Sequence, residues 1–307
     1  MKKTIFVAVF ALLAAACSND CNDDEVEKPV EGSDVTAPVT VHVNDFSIVM
    51  ESLAPEGGTT RAADDPASYQ GVGAIDLVFF DAAGSITYSK TQYKADGGTY
   101  TTFGEFTCNL PVGHYTMVAI GRGCYDGDGF ILTSPTEAAY TSERPRETLC
   151  KVQSITVTNT SPLDFDVTLD RITAMLTIQS TDGRPAGISK IRTTYSKGGK
   201  SFNPTTGLAT SNTGFWQTNS PAAAVGSTIK VNSCPLLASA DDEEERIDIT
   251  IEVLDTNDKV LFTKVVKDVP FKRNNITIVS GKLFTPGPSS FGIKLNTEWG
   301  PGYEVNF

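Results

Sequence analysis

Val39-Thr-Val-His-Val-Asn-Asp-Phe-Ser-Ile-Val-Met50 holds two runs of alternating apolar residues that are out of phase with each other. Val39, Val41 and Val43 fall on odd positions; Phe46, Ile48 and Met50 fall on even ones. A period of two belongs to a pleated strand, whose successive side chains point to opposite faces. One extra residue near Asn44-Asp45, a bulge, puts both sets on one face. The stretch is therefore a strand that needs a partner.

The rest of the chain repeats this style. Ile75-Asp-Leu-Val-Phe-Phe80, the turn Asp81-Ala-Ala-Gly84 and the alternating residues 86–94 read as a hairpin. Further strands are expected over 103–110, 115–121, 152–158 and 165–169, then over 172–178, 188–195, 247–253, 260–266 and 276–284. Residues 122–149 form a long irregular insert in which 135–140 is expected as a short helix. Residues 198–228 read as loop with a short strand at Phe215-Trp216. Long runs of helical period are scarce, so the fold class is all-β. At 307 residues the chain is long enough for two cores. A boundary near Asp170 yields two β-sandwiches, 62–169 and 170–307.

The formal net charge of -12 excludes a nucleic-acid surface, which needs clustered Lys and Arg. Only two histidines occur, His42 and His114, too few for a Ser-His-Asp site or a histidine metal cluster. Asp126-Gly-Asp-Gly129 lacks the remaining ligands of a calcium loop, and the acidic run 241–245 reads as a solvated turn. No glycine motif cradles a phosphate, and no carboxylate pair can be nominated for hydrolysis. The expectation is a non-enzyme with no cofactor and no metal.

The first residues set the compartment. Met1-Lys-Lys precedes an apolar run, residues 5–13, too short to span a bilayer, so 1–16 is a signal peptide. It ends in Leu13-Ala-Ala-Ala-Cys17, which resembles a bacterial lipobox, and this implies lipidation of Cys17 and attachment to the membrane through the lipid alone. The acidic residues 18–25 that follow resemble the tether that sends Bacteroidetes lipoproteins to the outer face of the outer membrane, the alternative being a plain flexible linker. Of the remaining cysteines, 21, 108, 124, 150 and 234, Cys124 with Cys150 is the disulfide to test first, against buried free thiols.

Two further features stand apart. Pro55-Glu-Gly-Gly-Thr-Thr-Arg-Ala-Ala-Asp-Asp-Pro66 reads as a loop with one arginine, Arg61, between two strands. In the last seventeen residues, Phe291, Ile293, Leu295, Trp299, Tyr303, Val305 and Phe307 all fall on odd numbers, behind the break Pro286-Gly-Pro288. Taken alone, Arg61 could equally be an exposed charge and the tail an ordinary terminal strand.

The lipobox, Leu110-Pro-Val-Gly-His-Tyr115 with Ala119-Ile-Gly121, Leu169-Asp-Arg-Ile-Thr-Ala-Met-Leu-Thr177, Phe271-Lys-Arg-Asn-Asn-Ile-Thr-Ile-Val-Ser-Gly-Lys-Leu-Phe284 and the Trp299 tail occur in an order and spacing that resemble the Bacteroidales fimbrillin family, the subunits of type V pili. The resemblance spans nearly the whole chain. It implies two tandem transthyretin-like β-sandwich domains with few short helices. It also implies a lipoprotein precursor, matured by lipoprotein-processing enzymes and held in the outer membrane, whose propeptide 17–61 is removed by an Arg-specific, gingipain-like surface protease cutting Arg61-Ala62. The strand Val39, Val41, Val43, Phe46, Ile48, Met50 would then be discarded, and a donor strand such as 291–307 of another pilus subunit would take its place in a cell-surface fimbrium. The expected role is a shaft subunit. The alternative is a tip adhesin or carbohydrate-binding surface lipoprotein using Trp216, Tyr125 or Tyr140.

Overall fold

The computed structural model describes residues 35–51, 59–124, 129–142, 144–239 and 243–296, and the side chains of 48–51, 59–64 and 296 are left aside. The signal peptide, Cys17, Tyr125, Trp299, Tyr303, Val305 and Phe307 lie outside the described residues.

Alternation becomes strand almost throughout. In chain order the strands are β1 Thr36–Glu51, β2 Thr59–Asp64, β3 Ala74–Asp81, β4 Ile86–Tyr93, β5 Glu105–Pro111, β6 Gly113–Arg122, β7 Phe130–Ser134, β8 Glu137–Tyr140, β9 Thr148–Val157 and β10 Leu163–Arg171. They continue as β11 Met175–Ser180, β12 Lys190–Tyr195, β13 Ser201–Asn203, β14 Leu208–Ala209, β15 Phe215–Asn219, β16 Lys230–Ser233, β17 Glu245–Leu254, β18 Val260–Phe271, β19 Ile276–Gly281 and β20 Phe291–Asn296. A single 3-10 turn, Lys94–Asp96, is the helical element among the described residues. The fold is all-β.

The first sheet runs β2-β1-β10-β9-β6-β3-β4, with β5 on the first half of the same β1 edge whose second half pairs with β2. β10 and β9 meet only at Asp170↔Cys150 and Arg171↔Leu149, so the sheet turns a corner there. The layer β5-β1-β10 faces the layer β9-β6-β3-β4, and between them lies a core of Val39, Val41, Phe46, Leu77, Phe79, Phe106, Met117 and Leu169 among others. The expected bulge is present, with the β1 register shifting between Val43 and Asp45, and Val43 and Phe46 are both buried.

The second core lies between the sheets β16-β11-β19-β20 and β15-β12-β17-β18, which supply Leu176, Ile178, Val231 and Val279 from one side and Ile191, Tyr195, Ile249 and Val253 from the other. A small sheet, β14-β13-β8-β7, draws strands from both sides of Asp170 and covers Val78, Phe80, Val118 and Ile120 on the outer face of β3 and β6. With both faces covered, β3 carries the near-continuous apolar run seen at 75–80.

Three local expectations are corrected. Residues 135–140 are hairpin, not helix, because Ala138 pairs with Leu132 on one side and Phe202 on the other, and that tertiary pairing overrides the helix preference of alanine. The arginine loop is strand over Thr59–Asp64, antiparallel to the second half of β1. The Cys124-Cys150 disulfide is not formed. The Cys150 thiol is buried, lies 3.5 Å from the Pro204 carbonyl, and is pushed up to about 12 by burial, whereas the Cys124 sulfur lies over Gly73.

Immediately after β2 the chain is pinned. Tyr69 donates its hydroxyl hydrogen to Glu147, Arg171 reaches the Tyr69 oxygen at 2.6 Å and Glu147 at 2.7 Å, and the same guanidinium reaches Asn274 at 2.7 Å. The Arg171 and Glu147 side chains are both 0% exposed. Burial, then the Glu147 carboxylate, push the tyrosine hydroxyl far above its ordinary range, so it stays a donor. Lys94 also donates to the Tyr69 carbonyl at 2.6 Å. Replacing Tyr69 by Phe strips this buried pair of a hydrogen-bonding partner, and urea unfolding should register a loss of about 1–3 kcal/mol.

Candidate functional site

The site is the slot filled by β1. On one side β10 runs parallel, matching Val39↔Leu163, Val41↔Phe165 and Val43↔Val167. On the other side β5 runs antiparallel, matching Val39↔Cys108, Val41↔Phe106 and Ala37↔Leu110. These positions point inward: Ala37, Val39, Val41, Val43 and Phe46 are buried at 0–3% exposure, and burial raises the Cys108 thiol to about 11. β1 is thus the middle strand of its layer, with ladder partners on both edges.

The outward positions carry polar groups. His42 lies opposite Asp166 on β10 and opposite Glu105 on β5, and its Nε2 sits 2.9 Å from an Asp164 oxygen. Asn44 donates to Asp166. At the bulge, Gly104 comes against β1: the Val43 N–H donates to its carbonyl at 2.9 Å, and its φ of +96° is one that L side chains rarely adopt. A Cβ there would stand 2.8 Å from the Val43 carbonyl oxygen.

The arginine segment sits at the edge. Among the described residues β2 pairs only with β1 and ends the strand path, with Ala62 opposite Ile48 and Arg61 opposite Val49. Five residues past Asp64 comes the Tyr69 anchor, and the Phe46 ring of β1 packs edge-on against Tyr69 at 5.5 Å between centroids. The bond Arg61-Ala62 therefore lies between a central strand and a fixed point of the body.

Of the tail, Phe291, Ile293 and Leu295 are described. They lie in β20, an edge strand antiparallel to β19, with Ile293 40% exposed and Phe291 partly buried against the second core. The chain leading to it is held by Asp182, which accepts from Leu283 N at 2.8 Å, Phe284 N at 3.0 Å and Thr285 Oγ1 at 2.9 Å. Burial works to raise this carboxyl, but these three donors and its own backbone N–H outweigh it and hold the group below the usual carboxylate range.

The aromatic candidates separate. Tyr140 is a strand residue 2% exposed whose hydroxyl meets Thr148 at 2.7 Å, so it cannot face a ligand. Trp216 lies in β15 at 40% exposure with the Arg192 guanidinium 5.1 Å from its ring centre, and Arg192 is itself 3.3 Å from Glu252. Among the described residues no group of three or more His, Cys, Asp or Glu could hold a metal ion, and no helix is long and apolar enough to cross a membrane. Sequence reasoning missed Glu147, Asp182, Gly104 and the role of Arg171; only Arg171 left a trace, as the charge inside Leu169-Asp-Arg-Ile.

Residues 124–303 match the family described as "Family of unknown function (DUF6562)". No curated protein matches the chain. Among solved structures the chain is similar to the fimbrial anchor protein Mfa2 from Porphyromonas gingivalis, at TM-score 0.49 and 12% identity over 86% of this chain and 98% of that one. It is also similar to a candidate adhesin from Bacteroides ovatus, at TM-score 0.48 and 14% identity over 88% of this chain and 97% of that one. A third is the tip fimbrial protein Mfa3 from Porphyromonas gingivalis with a C-terminal truncation, at TM-score 0.38 and 10% identity over 85% of this chain and 99% of that one.

Two outcomes follow from this geometry. Gly104→Ala forces a positive φ on a side chain and a clash with the β1 backbone, and should lower stability by about 1–3 kcal/mol in thermal unfolding. For Asp182 the folded pKa is depressed, so its contribution is present above the unfolded value near 3.9 and is lost as pH falls through the folded value. Amide exchange at Leu283 and Phe284 should accelerate on acidification below about pH 4 relative to the intrinsic rate, and Asp182→Asn should show that acceleration at neutral pH.

Proposed function

The chain belongs to the family of unknown function DUF6562, and we propose that it is a structural subunit of a type V pilus, a shaft component that polymerises by strand exchange after proteolysis. The observation that carries this reading is that β1, a middle strand bonded on both edges, connects to the body only through β2, which contains Arg61. Cutting Arg61-Ala62 severs β1 from a body whose remaining chain begins again at the Tyr69 anchor.

Physical magnitudes favour replacement over an empty slot. Ala37 aside, the four large apolar side chains that β1 buries contribute about 1.5–3 kcal/mol each, and the backbone groups of β5 and β10 gain their hydrogen bonds from the same strand. A vacated groove exposes all of this at once. An alternating segment such as Phe291, Ile293, Leu295 and the residues after them offers the same two kinds of contact.

In this reading the precursor is exported with its signal peptide, lipidated at Cys17 by lipoprotein-processing enzymes, displayed at the outer membrane, and released into the fimbrium by an Arg-specific surface protease. Its partners are other pilus subunits. A second reading, an adhesin or carbohydrate-binding role, is favoured by the exposed Trp216 alone.

The test uses the precursor without residues 1–16, treated with a trypsin-like protease. Mass spectrometry should find the cut after Arg61, and native gels should show ladders of stable oligomers that disappear when residues 291–307 are removed. A product clipped at Arg61 that stays monomeric under all conditions overturns the proposal.

A further inference from the structure

The stretch seated in the groove and the first stretch of β20 share one pattern. Val39-Thr-Val-His-Val43 and Phe291-Gly-Ile-Lys-Leu295 both read apolar, small, apolar, base, apolar. In the groove the base has a specific setting. His42 is flanked by Glu105 on the β5 wall and by Asp166 on the β10 wall, both directly opposite in register, and it meets Asp164 at 2.9 Å. Three carboxylates from two strands border one outward position, and the occupying strand fills it with a nitrogen donor. Once β1 leaves, the two acidic walls face each other with nothing between them, so a cation at that position is favoured and an anion opposed.

We propose that this carboxylate notch selects and registers the incoming strand, a second copy of this chain entering with Lys294 in the place of His42. Phe291, Ile293 and Leu295 then replace Val39, Val41 and Val43. The inference rests on the strand-exchange reading given above and adds to it the position at which the donor stops. A strand can slip by two residues and still keep its apolar face inward, so burial alone leaves several registers open. Charge narrows them. Lys294 is the only basic residue in 291–307, and Glu298 and Glu304 share its outward phase, so slippage by four or ten residues brings an anion into the notch. β20 is also free to gain from the move: Ile293 is 40% exposed where it stands, whereas Val41 in the groove is 0% exposed.

The experiment follows elongation after clipping of the full precursor lacking residues 1–16. Lys294→Glu should slow elongation about tenfold at low ionic strength, with the deficit shrinking toward 1 M salt as screening shortens to about 3 Å. Combining Lys294→Glu with Glu105→Lys and Asp166→Lys should restore the rate. In a Cys108→Ser background, Lys294→Cys mixed with Glu105→Cys should give an intermolecular disulfide in preference to Gly292→Cys or Asn296→Cys. Unchanged melting of each unclipped variant separates these effects from misfolding. Wild-type elongation by Lys294→Glu, or preferential crosslinking at 292 or 296, overturns the notch while leaving strand exchange standing. A wild-type chain that is clipped and never elongates overturns both.

Discussion

Backbone groups on the facing edges of β5 and β10 cannot bond to each other, because each bonds instead to β1 standing between them. Adjacent strands lie about 4.8 Å apart, so the two walls are held at roughly twice that distance, a width that suits one strand and nothing smaller. Everything else about the first half follows from filling that width. The inward valines complete the core, the bulge at 43–45 keeps Phe46 on the same side as Val43, and Gly104 gives way where the bulge swells. A strand in this position is required by the fold, yet nothing in the hydrogen-bond pattern requires that it belong to the same chain.

The cluster of Tyr69, Glu147, Arg171 and Asn274 makes the opposite arrangement. Its members come from the segment after β2, the residue before β9, the end of β10 and the turn before β19; Tyr69, Glu147 and Arg171 are buried and Asn274 is half-buried. Buried charges of this kind are costly to separate once one partner is removed. The body thus has a fixed point built from residues outside β1, against which the Phe46 ring of β1 packs. One end of the junction is bonded covalently and loosely paired, and the other is tied by ionic hydrogen bonds in a dry interior.

Much of this was legible in the sequence, and the reasons are particular. The phase change between Val43 and Phe46 announced the bulge because side-chain period in a strand is two and admits no other reading once both sets must face the core. The strands with alternating or continuous apolar residues were visible for the same reason. β2 was not, since Thr-Thr-Arg-Ala-Ala-Asp has no apolar alternation and is a strand only because β1 offers it an edge. The hairpin at 130–140 was hidden by Ala138-Ala139, whose local preference is helical and whose pairing with β13 is about sixty residues distant. Glu147 and Arg171 stand apart in sequence and reveal their partnership only when β9 and β10 meet at the corner. The groove's charged rim was invisible for the same cause, as Glu105, Asp164 and Asp166 become neighbours only through β1.

The register of β2 against β1 has a kinetic meaning. Six residue pairs join them, and the bond Arg61-Ala62 divides the six in half: Asp64, Ala63 and Ala62 stay with the body, and Arg61, Thr60 and Thr59 go with β1. Hydrolysis therefore leaves the severed strand still gripped along β5, β10 and half of β2. Cutting makes departure permitted without making it fast. Under the strand-exchange proposal, a clipped chain would be metastable, and its growth would be set by a branch migration in which the newcomer gains each ladder position as the old strand gives it up.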